Sequence, residues 1–328
     1  MKEKLQWVEW LKVMAMFFIV WGHCFPKTMS DFIYLFNVPL FFILSGFLTH
    51  RPDSSKAFGK KLWLTLIVPY ILLATAKGAG AICKTGGGGT ALAILAGFHS
   101  IGDTQGCSNL WFVYSLIILK LLHHFLGYSV RTMCILAVVA TLAMWGLTAN
   151  IDMPKWAVTD AVLAIPFYAA GYLLRATSYD KVTQAVNLIS KSNVYVWLAT
   201  VAALATITYV IALGNGRVGI YAGSYGNNIL LYLFGGIIGS TMVFCMSAKL
   251  DKIKRTFVPI LAAGNLVILT FHRELLHSPL KMINRNELLS DYNDILTFLL
   301  SVAVMIVFIP ICQLVIRYIP VVIGNRKP

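Results

Sequence analysis

The chain is 328 residues long, 58% apolar and 12% charged, with a mean hydropathy of +0.76. A soluble domain carries roughly 25% charged residues, so this chain cannot clothe a water-facing surface and its solvent must be the lipid bilayer. The net charge of +14 would suggest a nucleic-acid partner in a soluble protein. Here the cations cluster between apolar runs, as cytoplasmic loops do, and no nucleic-acid partner is expected.

A spanning helix needs about 20 mostly apolar residues. In chain order the candidates are 7–25, 32–49, 62–83, 109–126, 132–149, 157–174, 194–213, 228–248, 257–275 and 295–317. The expected fold is all-α: one polytopic transmembrane helix bundle over residues 1–328, about ten spans, multi-pass in the plasma (inner) membrane. The first run follows Lys2 and Lys4 as a signal peptide would. It ends Trp21-Gly22-His23-Cys24-Phe25 without a small-residue cleavage site, and so reads as an uncleaved first span. Between residues 84 and 108 the apolar piece Ala91 to Phe98 is too short to cross and reads as interfacial or re-entrant.

Alternate segments (both termini and loops 50–61, 127–131, 175–193 and 249–256) hold 17 of the 27 Lys and Arg. The other loops hold seven: Lys27, Lys84, Lys155, Arg217, Arg273, Lys281 and Arg285. Lys12, Lys77 and Lys120 fall inside spans. This asymmetry puts both termini in the cytoplasm, which an even number of spans satisfies. The six cysteines show no ligand spacing, so no metal is expected. Cys83 and Cys107 flank the 84–108 segment and would pair only in an oxidising compartment.

Ionisable groups within spans are costly and by default functional. Glu9 and Lys12 are three apart and can pair on one face. Lys12 and His23 are eleven apart, about three turns, so they share a face roughly 16 Å apart. His272 sits at the outer end of span 257–275, at the depth of His23, with Asn265 two turns earlier. A neutral imidazole suits the removal of a hydroxyl proton near neutral pH. The plainer readings are a snorkelling Lys12 and two unrelated rim histidines. In the second span Pro39 removes a backbone bond and predicts a kink, Asn37 lies near the depth of His23, and Ser45 can be interhelical glue. Lys60 and Lys61 precede the third span, where a basic pair can hold phosphates; any cytoplasmic loop looks the same.

Read together, these segments resemble the acyltransferase 3 family of membrane acyltransferases, which includes O-acetyltransferases of bacterial surface polysaccharides. Glu9, Lys12 and His23 match an acidic-x-x-basic pattern followed ten residues later by His. Phe36-Asn37-Val38-Pro39-Leu40-Phe41-Phe42 and Ser45-Gly46-Phe47 are similar to its second span. Lys60-Lys61 before Pro69-Tyr70, Asn109-Leu110-Trp111-Phe112, Ile165-Pro166-Phe167-Tyr168 through Gly171-Tyr172, and Gly264-Asn265-Leu266 through His272 follow in order. The resemblance implies a cytoplasmic acyl-CoA donor, usually acetyl-CoA, with His23 essential and Lys12 and Glu9 supporting it. It also implies Lys60 and Lys61 on the CoA phosphates. This chain departs from the family at Asn37, where many members carry His, and at Glu9, where Asp is usual.

The mechanism expected from this threads the pantetheine arm past Lys12 and Ser45 to His23. His23 acts as general base or transient acyl carrier, and His272 shares its duties. Asn37, Trp111 or Asn265 polarise the carbonyl or hold a sugar or glycan acceptor; Trp111 reads equally as an interfacial belt residue. The rival class is a transporter or flippase, and within enzymes a succinyl donor. A homo-oligomer stays open.

Overall fold

The computed structural model describes residues 5–85, 108–148, 156–285 and 293–324. The 91–98 segment and the pairing of Cys83 with Cys107 lie outside the described residues. Twelve α-helices and no β-strand occur among the described residues. They are α1 (Gln6–Gly22), α2 (Ser30–Phe47), α3 (Ser55–Leu62), α4 (Val68–Thr85), α5 (Trp111–Phe125) and α6 (Val130–Thr148). The second half comprises α7 (Ala157–Lys191), α8 (Val194–Asn215), α9 (Ile229–Lys249), α10 (Phe257–Ala263), α11 (Asn265–Arg285) and α12 (Asn293–Tyr318).

Among the described residues seven helices are long and apolar enough to cross a membrane, the run Ser55–Gly78 from α3 into α4 counting as one, and an eighth span results if α10 and α11 count as one. Large apolar side chains cover the rim of the bundle, among them Trp145, Tyr195 and Leu213, each more than 60% exposed. In water such a patch would aggregate; lipid is what covers it.

Burial separates an inner from an outer layer. In their most apolar 18-residue stretches α7 and α2 are 67% and 61% buried, against 17% of α6 and 11% of α8. Lipid tails are as apolar as side chains, so close packing rather than hydrophobicity holds such helices together. α2 and α7 approach backbone to backbone at Gly46 and Gly171. A Cβ on Gly46 would collide with the Tyr168 carbonyl, and one on Gly171 with the Ile43 carbonyl. These glycines therefore set the closest contact in the core.

Several expected boundaries shift. The first helix stops at Gly22, leaving His23 as its C-cap (φ −75°, ψ −5°). Loop 50–61 contains α3, capped by Ser54 Oγ accepting from the Ala57 amide. α3 passes through a π-turn (Trp63–Ile67) into α4. Lys60 and Lys61 accordingly lie in the last turn of α3, exposed, not at a helix start. Loop 175–193 is helical rather than a loop: α7 kinks at Ser178 (φ −138°, ψ 21°) and a second helical stretch runs on to Lys191. The expected straight span 257–275 is broken. α10 and α11 meet at Gly264 with a bend of 87°, and Gly264 packs against Cys312 too tightly for a side chain. α2 runs unbroken through Pro39.

Candidate active site

The break at Gly264 lays α11 alongside α1. Near the start of α11, Asn265 Nδ2 donates to the Lys12 carbonyl (3.4 Å). Two turns on, His272 meets His23, and their rings join by a nitrogen–nitrogen contact of 2.5 Å between His23 Nδ1 and His272 Nε2. The ring planes are nearly parallel (11°) and the centroids 4.8 Å apart. At that nitrogen–nitrogen distance the imidazoles meet by their edges, as a hydrogen-bonded pair does.

The tautomers follow from one further bond. His272 Nδ1 lies 2.8 Å from the Ile268 carbonyl. A carbonyl can only accept, so Nδ1 carries the proton and a neutral His272 presents a lone pair at Nε2. His23 Nδ1–H donates to that lone pair. The remaining nitrogen of a neutral His23, Nε2, is then the basic one. His272 is fully buried and His23 half-buried, so the inner ring is fixed and the outer ring reaches open space.

That space is a cavity of about 520 Å³, running between α1, α2, α5, α11 and the 217–222 segment. It is lined by Lys12, His23, Asn37, Ser45, Trp111 and Asn265. Six of the ten residues singled out from the sequence thus face one void. Glu9 joins through its ion pair with Lys12 (2.8 Å), and His272 through His23. Lys60 and Lys61 do not line the cavity. Between Lys12 and His23 the wall is mainly apolar, with Met16, Ile19, Leu116, Leu266 and Leu269.

Amides punctuate that wall. Asn37 is buried, and its Oδ1 accepts from the Val38 amide (2.8 Å). Its Nδ2 lies against Gly22, the residue before His23; a Cβ on Gly22 would sit 3.0 Å from it. Asn265 Oδ1 is buried without a hydrogen-bond partner.

Tyr34, Asn109, Arg217 and Arg273 are among the lining residues that were not anticipated as site residues. Arg273 follows His272 directly and donates to Asn109 Oδ1 (3.5 Å). Arg217 reaches Ser30 and Asp31 and stacks on Tyr34 (3.7 Å from its centroid). The segment that carries Arg217 is pinned by the fully buried Asn215, whose Nδ2 donates to the Tyr225 carbonyl and whose Oδ1 accepts from the Asn228 amide, each at 2.8 Å. The positive-inside count assigned Arg273 and Arg217 only to outer loops. Their neighbours His272 and Tyr34 come into register only through the fold.

Strain marks the same corner. Phe25, two residues past His23, has φ +51°, the left-handed region, with a proline following. That conformation costs a bulky residue about 1–2 kcal/mol and accompanies functional sites. Intramembrane Lys77 is accounted for: it is buried, paired with Glu274 (3.0 Å) and donates to the Thr270 carbonyl, tying α4 to α11 behind the histidines.

A family model described as an acyltransferase domain matches residues 5–317, nearly the whole chain. No curated protein and no solved structure matches it.

Proposed function

The chain belongs to this acyltransferase family, and from that premise we propose that it moves an acyl group, acetyl foremost, from acyl-CoA to a hydroxyl of a sugar or cell-surface glycan. The observation that carries the reading is the relay from the Ile268 carbonyl through His272 to His23, which leaves His23 Nε2 basic at the wall of a cavity. In the direct route Nε2 takes the proton of the acceptor hydroxyl while its oxygen attacks the thioester carbonyl. The carbon–sulfur bond breaks, and the CoA thiolate takes the proton back from His23. In the two-step route Nε2 attacks the carbonyl itself and expels the CoA thiolate; the acceptor oxygen then takes the acyl group from Nε2, and the hydroxyl proton passes to the thiolate. Both use the same nitrogen. The Asn37 amide, one residue from His23 across Gly22, donates to the developing oxyanion.

The cavity suits the donor. Lys12 stands at one end and His23 about 16 Å along the same helix, with apolar walls for an alkyl arm. Lys60 and Lys61 do not line the void, and in this reading they meet the CoA phosphates outside it. A cytoplasmic donor then requires the N-terminus inside and the His23 end outside. Succinyl is the second reading for the acyl group, because its terminal carboxylate would meet Arg217 or Arg273. Family membership displaces the transporter reading. The test is CoA release from acetyl-CoA by purified protein with a panel of sugars, wild type beside His23→Ala. Turnover lost in a folded His23→Ala supports the assignment. Unchanged turnover, or none in the wild type with any acceptor, refutes it.

A further inference from the structure

Seven cations fall in the segments that the charge asymmetry assigns to the outer side, where Lys and Arg are scarce. Three of them, Arg217, Arg273 and Lys281, line cavities, so topology alone does not account for their placement. Arg273 and Lys281 belong to a second cleft, about 380 Å³, that shares His23 and Phe25 with the deep cavity. His277 lies between them on its wall. Residues 273, 277 and 281 are four apart on α11, so they form one row on one face. All three are exposed, above the buried Leu276. No carboxylate lines this cleft among the described residues; the adjacent Glu274 is engaged by Lys77.

Acyl transfer brings two substrates to one nitrogen from different sides. The deep cavity, with its long apolar wall, is taken by the donor. We propose that the second cleft is the acceptor subsite and that the acceptor is anionic: a glycan carrying a carboxylate or phosphate on the acylated sugar or its near neighbour. This rests on the acyltransferase reading above. The row starts beside His272 and extends two turns, roughly 12 Å. An anion held at His277 or Lys281 therefore leaves a hydroxyl on the same or the next sugar within reach of His23. Charge-assisted bonds of this kind give orientation as well as affinity. A cationic row at a helix end can also hold anionic lipid headgroups, but this one lies within a concavity that contains the candidate base, which a headgroup contact would not need.

The test uses the full-length protein in nanodiscs of neutral lipid. Binding of tetragalacturonate, of a phosphorylated glucose tetramer and of neutral maltotetraose is measured without donor, so that it does not depend on turnover. Wild type should bind at least one acidic probe more tightly than the neutral one. His277→Gln/Lys281→Gln should lose about tenfold in affinity for that probe, and Lys281→Glu more, with less than about twofold change for maltotetraose. The two acidic probes separate carboxylate from phosphate. The same variants, given acetyl-CoA, should shift the ratio of kcat/KM between acidic and neutral acceptors by the same factor. No preference for either acid in the wild type, or a preference that survives both variants, overturns the proposal. So does an effect confined to association with phosphatidylglycerol-containing nanodiscs, which would make the row a lipid contact. Acid-selective binding without CoA release by any acceptor would keep the subsite and sink the acyltransferase reading instead.

Discussion

Substitution of His272 separates its role from that of His23. In His272→Asn the side-chain amide nitrogen stands where Nδ1 stood and still donates to the Ile268 carbonyl, 2.8 Å away in the wild type. Nothing then stands at the Nε2 position that receives His23 Nδ1–H. A donor orphaned in this way costs about 1–3 kcal/mol, and His23 relieves the cost by rotating or by moving its proton to Nε2, which removes the base. At 1.36 kcal/mol per tenfold this amounts to a loss of about 5- to 150-fold in kcat. His272→Gln places a carbonyl near the Nε2 position and should lose less, within about tenfold. His23→Ala removes the base itself, a loss of about 10²–10⁴-fold for general base catalysis. The assay is CoA release at saturating acetyl-CoA and acceptor, with thermal unfolding in detergent as the fold control. A folded His272→Asn with wild-type kcat would refute the relay. A folded His272→Asn as inactive as His23→Ala would make His272 the base and His23 its support.

Three further outcomes follow from local geometry. Asn37→Leu should lower kcat by about 10²–10³-fold, the usual loss for one oxyanion donor. Gly22→Ala, whose methyl would press on Asn37 Nδ2 at 3.0 Å, should reproduce part of that loss; equal kcat in all three proteins would remove Asn37 from the chemistry. Gly46→Ala should destabilise the bundle by about 1–3 kcal/mol through overpacking against α7. Gly59→Ala, which meets nothing within 4 Å, should gain up to about 1 kcal/mol from helix propensity, both read as shifts in unfolding temperature. Asn215→Ala removes the bonds to the Tyr225 carbonyl and the Asn228 amide, at about 1–3 kcal/mol for a buried group left unpaired. Hydrogen exchange should then rise over residues 216–228; unchanged protection there would mean that the segment is held by something else.

What the sequence disclosed and what it hid divide along a physical line. Helix spacing is local, so Glu9 with Lys12, and Lys12 with His23, could be placed on one face before any fold was known. The meeting of His23 with His272 depended on equal depth in two spans, and the histidines do meet. The route differs from the straight helix expected, because the chain breaks at Gly264 and only then runs beside α1. Nothing in a hydropathy window marks that break, since Gly264-Asn265 sits inside an apolar run. The extension of α7 to Lys191 was missed for the opposite reason: once apolar residues give way to polar ones, hydropathy stops, but a helix emerging from lipid need not. Arg217 was invisible as a site residue because its place is fixed by hydrogen bonds to Asn215 across a turn, and such contacts leave no periodic trace.

The position of His23 explains why the helix ends where it does. His23 keeps near-helical backbone angles as the C-cap (φ −75°, ψ −5°), and the chain leaves the helical course two residues later, at Phe25 (φ +51°). The turn at Phe25 costs about 1–2 kcal/mol, and both His23 and Phe25 border the deep cavity and the outer cleft. The buried half of the relay supplies the opposite property. His272 lies wholly inside, its tautomer set by a backbone carbonyl that cannot change its role. A base must be held firmly on one nitrogen and left open on the other, and the rigid α11 with the strained end of α1 divide that requirement between them.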